Sequence, residues 1–303
     1  MRPDTVRSAL PRAYHHRDCD IPALARAKGT RTVSVCLPAR DEVATIGPIV
    51  ATICTSLIER AGVVDEVVVI DDHSTDGTAE AAAAAGARVV EASTVLAAYG
   101  EGHGKGEALW KSVFVARGDV IVWCDADIRE FDERFVVGLL GPLLTSDAAL
   151  VKGFYDRPGG GVDGGGGRVT ELVARPLLSL LFPHLAGIVQ PLAGEYGAPR
   201  EVLEQLPFVE GYGVDLALII DVAERFGPGS LAQVDLGVRH HRNRPLDELG
   251  PQAMAVLQVA LRRAGLDATD AAALLRPGRE PVDVATAERP PLIDVPSYRL
   301  RSA

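Results

Sequence analysis

Gly118-Asp-Val-Ile-Val-Trp-Cys-Asp-Ala-Asp127 decides how this 303-residue chain folds. Val120–Cys124 is a short, nearly continuous apolar run. It fits a strand buried on both faces, as in a mostly parallel sheet. The run stops at Asp125-Ala126-Asp127. In an extended segment, residues two apart point the same way. Both carboxylates are therefore expected on one side at the carboxyl end of a buried strand, where open α/β sheets bind ligands. Like charges held close repel unless a cation sits between them. Hard oxygen donors suit Mg²⁺ or Mn²⁺, and Mg²⁺ takes one or two carboxylates plus phosphate oxygens. A solvated turn with two acids has the same local pattern, so the neighbouring motifs must discriminate.

Upstream, Thr32–Leu37, Glu66–Ile70 and Arg88–Glu91 read as strands, with helices over 45–60 and 79–85 between them. That alternation is a Rossmann-like half. The first strand runs into Pro38-Ala-Arg-Asp-Glu42 and the second into Asp71-Asp-His-Ser-Thr-Asp-Gly-Thr78. Strand-end acids such as Glu42 and Asp72 commonly accept hydrogen bonds from a ribose hydroxyl or a base N–H; helix capping accounts for Thr75 and Asp76 in part. Gly102–Gly106, around Lys105, opens a helix over 106–116. Such a loop lets backbone N–H groups and one Lys meet phosphate. It is not a Walker A loop, because Gly106 follows Lys105.

Downstream, a helix over 133–144 and a strand over 149–155 continue the alternation. Gly159–Gly167 is Gly except at Val162 and Asp163, and is expected to be a mobile loop. It leads into an amphipathic helix starting at Arg168, with Thr170 beside it. A helix over 211–226 and a strand over 231–238 precede Arg239-His-His-Arg-Asn-Arg244, the densest basic cluster of the chain. Arg pairs bidentately with carboxylate or phosphate, and His241 offers a nitrogen to the same cation. A solvated charged face is the alternative for that run.

The net charge of −10 argues against non-specific nucleic-acid binding. A small anionic substrate remains possible where the basic residues concentrate. Four cysteines form no C-x-x-C pair, and Cys36 and Cys124 read as buried hydrophobes. No apolar run reaches the ~18–20 residues of a membrane span. The first residues carry Arg2, Asp4, Arg7 and Arg12 with no apolar core of a signal peptide, which points to the cytoplasm. The expected organisation is an N-terminal arm over 1–30 and a catalytic domain over 31–265. Within that domain 31–127 would be a nucleotide-binding half and 128–265 a second half, and 266–303 would be a loosely held tail.

Pro38–Glu42, Asp71–Thr78 and Asp125–Asp127 together resemble a GT-A glycosyltransferase of the family-2-like type. Four longer stretches are more specific: Gly104–Trp110, Gly165–Leu178, Gly211–Val214 and Gly237–Leu249. They resemble the glucosyl-3-phosphoglycerate synthase family, over roughly 32–260. The resemblance implies an α/β GT-A fold, UDP-glucose as donor, D-3-phosphoglycerate as acceptor, Mg²⁺ or Mn²⁺, retention of configuration and a homodimer. It implies nucleotide contacts from Pro38, Ala39, Arg40, Glu42, Asp72, Lys105 and Asp125. Asp127 and His241 would hold the metal. Gly167, Arg168, Thr170, Asn243 and His241 would hold the acceptor. Asp125, Asp127, Lys105, Asp215 and Arg239 would be the catalytic set, with Asp215 toward the sugar.

Three positions depart from the family pattern. Ala126 replaces a Ser and should point away. Asp215 replaces a Glu, one methylene longer. Arg40 replaces a smaller apolar residue. Competing readings are a mannosyl-3-phosphoglycerate synthase using GDP-mannose and a non-catalytic nucleotide-sugar sensor. The sensor would be expected to have lost metal or acceptor groups, which this chain keeps.

Overall fold

The computed structural model describes residues 11–100, 102–157, 167–240, 245–266 and 273–302. In chain order the first half is β1 (Arg12–His15), α1 (Ile21–Lys28), β2 (Val33–Ala39), α2 (Val43–Thr52), β3 (Glu66–Asp71), α3 (Thr78–Ala84), β4 (Arg88–Glu91), α4 (Lys105–Val115) and β5 (Val120–Trp123). Then follow α5 (Arg134–Thr145), β6 (Leu150–Asp156), α6 (Arg175–Leu181), β7 (Tyr196–Pro199), α7 (Arg200–Leu203), β8 (Phe208–Val209), α8 (Val214–Phe226) and β9 (Leu231–Val238). The chain closes with α9 (Leu246–Arg263), β10 (Ala273–Leu274), β11 (Val282–Asp283), β12 (Glu288–Arg289) and α10 (Pro296–Ser302).

Eight strands form one sheet in the order β1-β9-β6-β7-β5-β2-β3-β4. Every neighbouring pair is parallel except those of β7, which runs antiparallel to both β5 and β6. The expected mostly parallel α/β sheet is therefore present. β5 is buried along its length, and its side chains alternate between two cores. Ile121 and Trp123 pack with Trp110 and Phe208 on one face; Val120 and Val122 pack with Ile46 and Phe135 on the other. That two-sided burial is why the strand reads as an unbroken apolar run.

α2 continues through a π-helical stretch to Arg60. Among the described residues, 43–60 is the one helical stretch long and apolar enough to cross a membrane, with a mean hydropathy of 1.3. Ile46, Ile49, Val50, Ile53 and Leu57 on it are fully buried in the core, so its apolar face is covered by the sheet.

Two expectations about the ends are corrected. Residues 11–30 are packed into the domain rather than forming a separate arm: β1 pairs with β9 at the sheet edge, Leu24 of α1 is buried, and Lys28 bonds Asp65 at 2.8 Å. The tail is not loosely held: β12 pairs with β8, and Leu292 and Val295 are buried in the same core as Trp110. Both segments lack periodicity because each contributes only a few apolar residues; pairing partners distant in the chain hold them. β7 was not anticipated, since Tyr-Gly-Ala-Pro is a poor strand former in isolation. Of the glycine run Gly159–Gly167, all but Gly167 lies outside the described residues.

Candidate active site

The ends of β2, β3 and β5 open on a cavity of about 1050 Å³. Pro38, Ala39, Arg40 and Glu42 line it from the end of β2, and Asp72 from the end of β3. Lys105, Asp125 and Asp127 line its floor, joined by Arg239 from the end of β9. Gly167, Arg168 and Thr170 also line it. His241 and Asn243 lie outside the described residues. Asp215 is one layer deeper: it is buried and does not line the cavity, but reaches Lys105 at 3.2 Å.

Asp125 and Asp127 converge, though not by strand alternation, because β5 ends at Trp123. Both close on Arg239, whose guanidinium stands 3.1 Å from Asp125 and 2.6 Å from Asp127. Ala126 between them is buried but is itself part of the cavity lining. Lys105 meets Asp125 from the other side at 3.3 Å. Burial opposes the charge on Asp125, but Lys105 and Arg239 outweigh it and hold the carboxyl well below the usual range. Burial likewise opposes the charge on Lys105, yet Asp125, Asp215 and Glu195 raise its pKa. Both stay ionised at neutral pH.

Four participants have no counterpart in the sequence reading. Glu195, fully buried, pairs with Arg239 at 2.9 Å, and the Tyr155 hydroxyl accepts a bond from the same guanidinium at 2.6 Å. Burial raises the Glu195 pKa, with Arg239 opposing it. Lys152 lies 3.6 Å from Asp215 and 3.8 Å from the centre of the Tyr196 ring. The only sequence signal for any of these was a lysine inside the apolar strand 149–155. Gly194 is dictated by the same crowding: a Cβ there would stand 2.0 Å from the Asp125 carboxylate.

Among these residues four carboxylates (Asp125, Asp127, Glu195, Asp215) face three cations (Lys105, Lys152, Arg239). The Asp125 and Asp127 side chains are 27% and 35% exposed and open on the cavity. Hard oxygen donors with an excess negative charge, presented to a cavity, fit a divalent cation that takes its other ligands from phosphate. Asp72 ties the end of β3 to the Lys105 loop: one oxygen accepts the Gly104 N–H at 3.0 Å and the other meets His73 Nδ1 at 3.0 Å.

Burial pulls Lys152 down to about 8, with Asp215 raising it, Lys105 lowering it, and Glu195 and Asp125 raising it. A lysine whose pKa falls on folding holds fewer protons folded than unfolded between the two values, so stability rises with pH across that window. We expect the wild type to gain thermal stability relative to Lys152→Met as the pH is raised from about 8 to about 10.5. A difference between the two melting temperatures that is flat over this range would show that Lys152 does not titrate there.

A mostly parallel sheet whose strand ends present paired acids, a glycine loop bearing Lys105 and a facing arginine defines a nucleotide-sugar-dependent glycosyltransferase of the GT-A type. Residues 34–184 match glycosyl transferase family 2. The chain is 42% identical to the glucosyl-3-phosphoglycerate synthase of Petrotoga mobilis, over 96% of each. It is 48% identical to that of Mycobacterium tuberculosis, over 85% of this chain and 81% of the relative. The crystal structure of the M. tuberculosis enzyme with Mn²⁺, UDP-glucose and phosphoglyceric acid is similar with a TM-score of 0.86 at 45% identity, over 94% and 99% of the two chains. Mannosyl-3-phosphoglycerate synthase from Rubrobacter xylanophilus is similar with a TM-score of 0.86 at 38% identity, over 94% and 97%. The chain belongs to the glucosyl-3-phosphoglycerate synthase family.

Proposed function

We propose that this protein moves glucose from UDP-glucose to the 2-hydroxyl of D-3-phosphoglycerate, with retention and with Mg²⁺ or Mn²⁺, acting in the cytoplasm as a homodimer. The observation that carries the reading is one cavity lined by Asp125, Asp127 and Lys105 and also by Arg168 and Thr170. Pro38, Ala39, Arg40, Glu42 and Asp72 hold the nucleotide at the ends of β2 and β3. Asp127 and His241 would hold the metal, which would supply Lewis-acid neutralisation of the diphosphate. Lys105, kept charged by Asp125 and Asp215, neutralises the negative charge on the leaving group from a fixed position. Asp215, gripped by Lys105 and Lys152, orients the sugar side of the site through them. Gly167, Arg168, Thr170 and Asn243 hold phosphoglycerate, and holding both substrates lowers the entropic barrier to transfer.

The test is a panel of UDP- and GDP-sugars with 3-phosphoglycerate, with and without Mn²⁺, read by mass spectrometry. UDP-glucose is expected to give the glucosyl product only with metal. Product from GDP-mannose alone would make the protein a mannosyltransferase; no product from any pair would favour a sensor.

Arg168 gives a separate test of the acceptor side. The protein is acidic on average, so an acceptor of about three negative charges needs local cations within a Debye length of ~8–10 Å. Truncating Arg168 underpairs the anion, at roughly 2–5 kcal/mol by analogy with buried charge pairs. Arg168→Ala is therefore expected to raise the KM for 3-phosphoglycerate at least tenfold with UDP affinity nearly unchanged. Unaltered acceptor kinetics would place the acceptor elsewhere.

A further inference from the structure

We infer that Glu288-Arg289-Pro290, near the C-terminus, is a latch that sets the position of the Lys105 loop, with Arg289 as its positioning residue. The inference rests on the reading of Lys105 as the cation that meets the donor diphosphate.

One guanidinium joins three segments. Arg289 Nε donates to Glu107 Oε2 at 2.6 Å, one terminal nitrogen pairs with Glu210 Oε1 at 2.7 Å, and the other donates to the Tyr99 carbonyl. Tyr99 precedes the glycine loop and Glu107 follows Lys105 by two residues, so Arg289 closes the loop from both ends. Glu210 leads into Gly211 and Tyr212, which line the same cavity as Lys105. The segment is itself braced. Pro290 O accepts the Trp110 indole N–H at 2.9 Å, Glu288 pairs with Arg263 at 2.5 Å, and β12 pairs with β8. Just upstream, Asp283, Val284 and Ala285 line the cavity directly.

The contact leaves no slack. Glu107 is 1% exposed and also bonds Lys111 at 2.9 Å. Gly102 lies directly on the ion pair: a Cβ there would stand 2.3 Å from the Glu107 carboxylate and 2.4 Å from the Arg289 guanidinium. Its φ of +52° is one that Gly adopts without strain. Burial raises the Glu210 pKa, with Arg289 lowering it and Glu107 raising it. Without Arg289 the Glu107 and Glu210 carboxylates would lose their shared cation, and the loop end that carries Lys105 would lose one of its anchors, keeping Lys111 on Glu107 and Asp72 on the Gly104 N–H. A cation that must be ordered on binding contributes less affinity than one already in place.

The experiment measures UDP affinity by calorimetry with Mn²⁺ present, for wild type, Arg289→Ala, Arg289→Lys, Lys105→Ala and the Lys105→Ala/Arg289→Ala double variant. Arg289→Ala is expected to weaken UDP binding about tenfold in the wild-type background. In the Lys105→Ala background the same change is expected to cost less than twofold, because the group it positions is gone. Arg289→Lys, which keeps the charge but not the fork, is expected to be intermediate, and it carries the same test should Arg289→Ala not fold. Equal UDP affinity in wild type and both Arg289 variants, or the same loss in both backgrounds, would overturn the latch alone. A wild type that binds no UDP would overturn the donor reading and the latch with it.

Discussion

Replacing Arg239 by Met is expected to cost about 3–5 kcal/mol of stability, the range for breaking a buried ion network from one side. Arg239 is 4% exposed and is the shared partner of Glu195, Asp125 and Asp127, with the Tyr155 hydroxyl as a fourth contact. Met fills much of the volume but leaves three carboxylates facing one another. Glu195, already raised by burial, would take up a proton first. For a chain of this size the loss corresponds to a fall in Tm on the order of 10 °C. Arg239→Lys should recover part of it, since one ammonium cannot reach all three carboxylates with a fork's geometry. If the Met variant melts within a degree or two of wild type, the network does not stabilise the fold. Arg239 would then matter only to the reaction.

Asp127→Ala is expected to lower turnover on the order of 10² or more, the scale for losing preorganised electrostatic stabilisation of a leaving group. The side chain and that of Asp125 are the two cavity carboxylates that meet Arg239, and its removal leaves Asp125 already shared between Lys105 and Arg239. The variant should also fail to immobilise Mn²⁺ in electron paramagnetic resonance with UDP present. Its stability should fall less than that of Arg239→Met, because the Asp127 side chain is 35% exposed. Full turnover with unchanged Mn²⁺ binding would remove Asp127 from the metal site. His241→Ala is expected to behave in the same way for turnover and Mn²⁺.

Much of the cavity wall at the ends of β2, β3 and β5 was legible because it is local. Pro38–Glu42, Asp72, Lys105 and Asp125 each sit at a strand end or a helix start, and periodicity with turn chemistry locates those ends to within a residue or two. Gly167, Arg168 and Thr170 were legible as cavity residues because a glycine run stops abruptly at a helix. The strand alternation invoked for Asp125 and Asp127 was the wrong reason for their convergence. The strand is already over at Trp123, and a shared arginine brings them together.

By itself the sequence determined the alternation of strands and helices, the two-sided burial of β5 and the motif residues at its end. Those follow from hydrophobic period, caps and turns, which act over a few residues. Only the tertiary structure decided the reversed strand β7, the hub at Arg239 and the docking of the tail. Arg239 meets Asp125 across 114 residues of chain, and Arg289 meets Glu107 across 182. A charge in the sequence carries no record of its partner, because Coulomb attraction depends on distance in space and on burial, and both are set only when the sheet has brought the strand ends together.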